Sequence, residues 1–260
     1  AVPPDNPKYT LRRVWLTQEE EERFYYGFSN EALWPLCHIV YVKPKFDEAD
    51  WLIYKSVNQK FANVVLEEVG NEKAFVFIQD YHFTLLPKML KESRPDLLVA
   101  QFWHIRWPNR EAFRICPWGH EILEGLLGND LMGFHVQYHC NNFLDTVDRN
   151  LESRIDYGKF TATKGGKTTH VRPFPISIDF EELNLLSQEK DVENEMVRMK
   201  RELGLKGQII GVGLDRVDYT KGIPERFKAI DRFLEKYPEY RNKFTFIQAG
   251  TISRIHIEDY

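Results

Sequence analysis

Cysteine is scarce in this chain of 260 residues: Cys37, Cys116 and Cys140 are the three present. An odd, sparse set argues against a disulfide framework and fits a reducing cytoplasm. No apolar run approaches the roughly 18 to 20 residues of a membrane span, so no membrane partner is expected. The net charge of −4 leaves no basic excess, and so no overall field that favours nucleic acid. The opening Ala1-Val2-Pro3-Pro4-Asp5 lacks a basic stretch followed by an apolar one, so no signal peptide is expected. Nucleotide fingerprints are also incomplete. Gly166-Lys167-Thr168 resembles the end of a Walker A loop, but Thr161 stands where that loop needs its first glycine. Gly211-Val212-Gly213 lacks the third glycine of a dinucleotide fingerprint, and Arg216 occupies that place. There is no Gly-x-Ser-x-Gly elbow. His135 and His139 have helical ligand spacing beside Cys140, but no Glu follows His135, so no metal is expected.

What is present is the balance of a globular protein, with 43% hydrophobic and 28% charged residues. The length suits one large domain or two modest ones. Three apolar runs, Ala74–Ile78, Leu97–Trp103 and Leu131–Phe134, read as buried parallel strands. Helical patterns flank and separate them at Trp51–Val69, up to about Glu92, at Gly119–Leu127 and at Gln137–Asn150. This alternation predicts an α/β fold. Leu11–Leu16 reads as a short strand, and Thr17 with Glu20 as a capping box for a helix through Glu19–Glu22. Tyr157–Lys167 is polar and reads as a hairpin tip or loop. Val171–Ile176 reads as an edge strand or crossover, because Pro173 and Pro175 exclude a central strand. The domain change is placed just beyond it, giving units of residues 1–180 and 181–260. A helix over Val192–Leu203 closes at Gly204 and Gly207.

Polar residues recur where the apolar runs end, as Gln79-Asp80-Tyr81-His82, His104 and His135. Open α/β sheets bind ligands at those carboxyl ends, which marks out Asp80 and His104. A structural role for each stays equally open. Further on, the run Ile209–Val212 leads into the loop Gly213–Gly222, and a helix starts at Pro224. Arg216 and Lys221 are five apart there and can approach one anion from two sides. The plainer alternative is a solvated loop with two surface cations. The aromatic stretch from Phe24 through Trp34 reads either as a buried cluster or as a wall of a polyol pocket, with Tyr hydroxyl and Trp N–H donors.

Several of these stretches together resemble the trehalose-6-phosphate synthase family of retaining glycosyltransferases. They are Tyr25–Pro35, Asp80-Tyr81-His82, His104-Ile105 with Trp107-Pro108, Glu121–Gly128, Gly133-Phe134-His135, Phe174-Pro175-Ile176, Asp215–Pro224 and Ser253-Arg254. They occur in the family's order along nearly the whole chain. The resemblance implies a GT-B fold, with two Rossmann-like domains facing a cleft. It implies transfer of glucose from a nucleotide-glucose, usually UDP-glucose, to glucose 6-phosphate with retention. Arg216 and Lys221 would bind the donor diphosphate, and His104 would lie beside the donor sugar. Asp80 would bond the acceptor, with Tyr25, Trp34 and Arg254 on the acceptor side. Retention with this architecture implies neither a glycosidase-like carboxylate pair nor a cofactor.

Two departures stand out. Arg106 replaces the family's usual proline, and Arg110 adds a second cation after His104. The family's glycine-rich loop and an acceptor-phosphate arginine would precede residue 1, and its acidic nucleotide-sugar loop would follow Tyr260. The expectation is therefore a truncated chain, or one completed by a partner, with a homo-oligomer left open. Two alternatives remain: transfer to glycerol 3-phosphate, and a non-catalytic regulatory or assembly subunit.

Overall fold

The protein is described by a computed structural model at residues 6–40, 42–252, 254 and 257. Its internal contacts divide it into Ala1–Ile176 and Ser177–Tyr260, a boundary slightly earlier than the sequence suggests.

The first unit opens with a correction. Leu11–Leu16 forms no strand, and Leu11 and Trp15 are exposed. An isolated apolar run without a pairing partner has nothing to hold it extended. Thr17 then caps α1 (Gln18–Glu20), its hydroxyl accepting from the Glu20 amide while the Glu20 carboxylate accepts from the Thr17 amide at 2.7 Å. The chain continues into an unforeseen element, a π-helix over Glu21–Leu33, and then α2 (Trp34–His38). α2 stops where Ile39 turns left-handed at φ 51°. Asp47 caps α3 (Glu48–Val69) by accepting from the Ala49 and Asp50 amides.

The sheet alternates with helices from there. β1 (Phe75–Gln79), α4 (Leu86–Ser93), β2 (Leu98–Phe102), α5 (Arg110–Phe113), α6 (Gly119–Leu126), β3 (Leu131–Phe134) and α7 (Gln137–Asn150) follow in turn. β4 (Arg154–Asp156), β5 (Thr161–Lys164) and β6 (Lys167–Pro173) complete it in the order β1-β2-β3-β6-β5-β4. β1, β2, β3 and β6 are parallel, and β6, β5 and β4 form an antiparallel ribbon. The polar Tyr157–Lys167 stretch holds the turn at residues 157–160, then β5, then a hairpin tip at Gly165 and Gly166 with φ 57° and 78°. β6 is not an edge strand: it pairs with β3 on one side and β5 on the other. Pro173 is tolerated because it ends the strand, and Pro175 lies beyond it.

One core lies under this sheet, where Ala62, Leu86, Leu90, Leu97 and Val99 pack with Ile78. A second is aromatic. Trp51 stacks on Trp118 at 5.2 Å, and Phe28 meets Trp51 at 4.9 Å and Tyr54 at 4.6 Å. Fully burying one such side chain stabilises by about 1.5–3 kcal/mol. β1 is buried on one face only. Ile78 points into the core while Phe75 and Phe77 are exposed, which corrects the expectation of a strand buried on both faces. The three cysteines are free and buried.

The second unit begins with α8 (Phe180–Leu186), capped by Asp179, and α9 (Lys190–Glu202). Gly204 turns left-handed at φ 66° after α9. β7 (Ile209–Arg216), a short 3-10 turn at Tyr219–Lys221, α10 (Ile223–Lys236) and β8 (Phe244–Thr251) complete it. β7 and β8 pair in parallel from Ile209 with Phe244 to Arg216 with Thr251. β7 thus runs past its expected end at Val212, and Arg216 is its last residue. Among the described residues, no helix is long and apolar enough to cross a membrane.

Candidate active site

In the first unit, the carboxyl ends of β1, β2 and β3 bring together Gln79, Asp80, His104 and His135. Asp80 has φ 64° and ψ −171°, a conformation that is essentially glycine's. A non-glycine residue there costs about 1–3 kcal/mol and persists only where its surroundings over-determine it. Here they do. The Asp80 amide donates to the Phe102 carbonyl at 2.8 Å, Gln101 Nε2 donates to the Asp80 carbonyl at 2.8 Å, and Asp80 Oδ1 accepts from the His104 amide at 3.1 Å. Gln101 is itself fixed by Asn129 Nδ2, which donates to its Oε1 at 3.0 Å. Burial pushes the Asp80 carboxyl above the usual carboxylate range, and the His104 amide opposes this.

His104 follows β2 and is exposed. Its Nε2 lies 2.6 Å from Gln79 Oε1, and its ring stands edge-on to Phe102 at 4.7 Å. His135 Nε2 donates to the His104 carbonyl at 3.1 Å. The strand ends marked Asp80 and His104 in the sequence, but the partnerships of Gln79 and His135 were missed. The available signal was that each sits where an apolar run stops.

Beside them runs an aromatic wall. The His82 ring stacks on Tyr25 at 5.6 Å and on Tyr81 at 4.2 Å. Trp34 lies 6.0 Å from Tyr81 and 4.0 Å from His38. The Tyr81 hydroxyl donates to Asn30 Oδ1 at 2.9 Å, and Asn30 Nδ2 donates to the Tyr25 carbonyl five residues earlier at 2.6 Å. The π-helix thus sets the pitch between Tyr25 and Asn30. Phe24, Phe28 and Trp34 are buried, whereas Tyr25 is half-buried. The segment serves as an aromatic core on one side and leaves Tyr25 accessible on the other. The loop after His104 is pinned from inside. Trp103 Nε1 donates to the Arg106 carbonyl at 3.2 Å, Trp107 Nε1 donates to Thr146 Oγ1 at 3.1 Å, and the Trp107 ring stacks on Phe113 at 5.0 Å. Arg106 and Arg110 are exposed.

In the second unit, neighbouring residues at the end of β7 divide their work, since strand side chains alternate between faces. Asp215 accepts from Arg226 Nη1 at 2.7 Å, and the same guanidinium donates to Gln248 Oε1 at 2.6 Å. The Arg226 bond holds the Asp215 carboxyl below its usual range. Arg216 and Lys221 are exposed. The loop between them is set by buried Asp218, whose Oδ1 accepts from Thr220 N at 2.9 Å and Thr220 Oγ1 at 2.8 Å. The Lys221 amide donates to the Asp218 carbonyl at 3.0 Å, and Gly222 turns left-handed at φ 62° into α10. Two cations on a fixed loop before a helix N-terminus suit an anion. Arg226, which the sequence did not mark, is the cation that braces this loop. Arg254 is half-buried with φ 51°, and its carbonyl accepts from the Ile257 amide at 3.0 Å. Its neighbour Ser253 lies outside the described residues.

Tyr25, Trp34, Asp80 and His104 therefore belong to the first unit, and Arg216, Lys221 and Arg254 to the second. Among the described residues, no cluster of His, Cys, Asp or Glu has the makings of a metal site. The first unit offers a carboxyl group, an imidazole and aromatic faces suited to polyol hydroxyls. The second offers paired positive charge.

Comparison with known proteins gives this chemistry a setting. The chain is 38% identical over 259 residues to a trehalose-6-phosphate synthase of Mycolicibacterium smegmatis, covering 96% of this chain and 51% of that protein. It spans about half the length of such curated relatives. An α,α-trehalose-phosphate synthase (UDP-forming) from Burkholderia xenovorans, solved in complex with glucose 6-phosphate, matches with a TM-score of 0.85 at 27% identity over 93% of this chain and 53% of that one. An E. coli structure bound with UDP-2-fluoroglucose matches with a TM-score of 0.84 at 28% identity, over 94% of this chain and 53% of that one. The α/β fold is that of these synthase structures. A family model described as glycosyltransferase family 20 matches residues 3–260. The chain belongs to glycosyltransferase family 20.

Proposed function

We propose that this protein is a glucosyltransferase that moves glucose from UDP-glucose to the 1-hydroxyl of glucose 6-phosphate, giving trehalose 6-phosphate with retention. The observation that carries this reading is the division of chemistry between the units. Asp80 and His104 stand at strand ends in the first, and Arg216 and Lys221 flank a braced loop in the second. On the acceptor side, Asp80 bonds a sugar hydroxyl and Tyr25 and Trp34 form the wall. Arg254 meets the acceptor phosphate. His104 lies beside the donor sugar, and Arg216 and Lys221 grip the donor diphosphate. We place the protein in the cytoplasm.

The chemistry follows from charge. Breaking the bond between the anomeric carbon and the diphosphate oxygen puts negative charge on the diphosphate and positive charge on the ring. Preplaced cations lower that barrier. The departing phosphate oxygen takes the acceptor proton on the same face, so the new bond forms with retention and no protein base is assigned. Incubation with UDP-glucose and either glucose 6-phosphate or glycerol 3-phosphate, followed by identification of the phosphorylated product, tests the reading. Trehalose 6-phosphate is expected. Transfer to glycerol 3-phosphate alone would replace the acceptor, and no transfer to either would favour a regulatory subunit.

A further inference from the structure

Gln79 has no role in the reaction as set out above, yet its Oε1 lies 2.6 Å from His104 Nε2. An amide oxygen only accepts, so the ring nitrogen facing it carries the proton. In a neutral imidazole the other nitrogen then keeps its lone pair. The remaining contacts hold the residue without using that nitrogen, and the His135 ring stands edge-on to the His104 ring at 5.9 Å. Phe102 stands edge-on at 4.7 Å, the His104 amide donates to Asp80 Oδ1 at 3.1 Å, and the His104 carbonyl accepts from His135 Nε2 at 3.1 Å. Among the described residues, no hydrogen bond is made to His104 Nδ1.

We propose that Gln79 is a positioning residue: its amide oxygen holds the proton of His104 on Nε2 and so presents Nδ1 as an acceptor for a sugar hydroxyl. Only the identity of that hydroxyl group rests on the glucosyl-transfer reading. Without the Gln79 oxygen the proton divides between the two nitrogens. The fraction carrying it on Nδ1 then meets a hydroxyl oxygen as a donor, reversing the hydrogen bond.

The test uses the full chain with ring-labelled histidine at mildly alkaline pH, where an imidazole is neutral. Long-range nitrogen–proton correlations identify the protonated nitrogen, and His104→Ala assigns the signal. Wild type and Gln79→Glu, which keeps an acceptor, are expected to hold the proton on Nε2. Gln79→Leu is expected to weaken that preference, with a measurable share of the proton moving to Nδ1. In transfer assays Gln79→Leu should lower kcat about ten-fold, as for one lost hydrogen bond, with both KM values within about two-fold of wild type. Gln79→Glu should restore most of that turnover. A proton on Nδ1 in the wild type, or an unchanged ring in Gln79→Leu, overturns the proposal. So does a changed ring with unchanged kcat. If the wild type transfers no glucose, the glucosyl-transfer reading fails, while the ring signals still decide whether Gln79 sets the tautomer.

Discussion

Asp80 and Arg216 both stand where a parallel strand ends, yet the two units hold them differently. Asp80 has a backbone conformation unsuited to its side chain, and hydrogen bonds with Phe102, Gln101 and His104 maintain it. Behind them lie a six-stranded sheet and an aromatic core in which Trp51 is 2% exposed. Arg216 ends a two-stranded sheet whose Leu214 is 78% exposed. Its loop is braced by Arg226 with Asp215 and by the Asp218 turn. The first unit thus places short hydrogen-bonding groups by rigid packing. The second places long cations by local loop geometry. A sugar hydroxyl demands the former, because hydrogen bonds are directional. A diphosphate tolerates the latter, because charge acts over distance.

The largest expected effect comes from the buried side of this contrast. Trp51→Ala should destabilise the protein by about 3–5 kcal/mol, whereas Leu214→Ala should stay within about 0.5 kcal/mol. Denaturant titration of both variants checks this, and equal losses would erase the contrast. Next, Arg216→Ala should lower kcat by about 10²–10³, equivalent to about 2.7–4 kcal/mol of transition-state stabilisation, with the unfolding midpoint unchanged. Loss of turnover together with unfolding would assign Arg216 to structure.

A smaller effect isolates the strain at Asp80. Asp80→Gly and Asp80→Ala both delete the carboxylate, but only glycine suits φ 64°. The glycine variant should be more stable than the alanine variant by about 1–3 kcal/mol, with both defective in transfer. Equal stabilities would mean that the backbone relaxes on losing the side chain.

The smallest effect concerns a carboxylate away from the site. Asp96 accepts from Arg94 Nε at 2.8 Å and Nη2 at 2.7 Å, which lowers its pKa from 3.8 to about 2. Because the folded value is the lower one, folding favours the charged form. The stabilisation is complete above the unfolded value of 3.8 and is lost as pH falls through about 2. The difference in unfolding midpoint between wild type and Asp96→Asn should close across that interval. A difference that persists at lower pH would assign the effect to packing.

The elements legible in the sequence were those that local pattern defines. β2 and β3 stood out as apolar runs, α3 and α7 by their periodicity, and the Thr17 cap by its partner three residues on. Features set by distant partners were hidden. Pro173 suggested an edge strand because nothing local shows that it ends β6 rather than interrupting it. The π-helix over Glu21–Leu33 has residue types compatible with an ordinary helix. Asp80 and His104 were legible as strand-end polar residues. So was Gln79, but its partner was hidden and Arg226 was not marked at all, since their bonds reach residues 25 and 22 positions away, respectively.

The central claim is that Arg216 and Lys221 serve the donor and Asp80 serves the acceptor. Calorimetric titration of Arg216→Ala and Asp80→Asn with UDP-glucose and with glucose 6-phosphate tests it most directly. The expected result is a crossed pattern: Arg216→Ala weakens UDP-glucose binding and spares glucose 6-phosphate, and Asp80→Asn does the reverse. Equal weakening of both ligands by either substitution in a folded protein would contradict it.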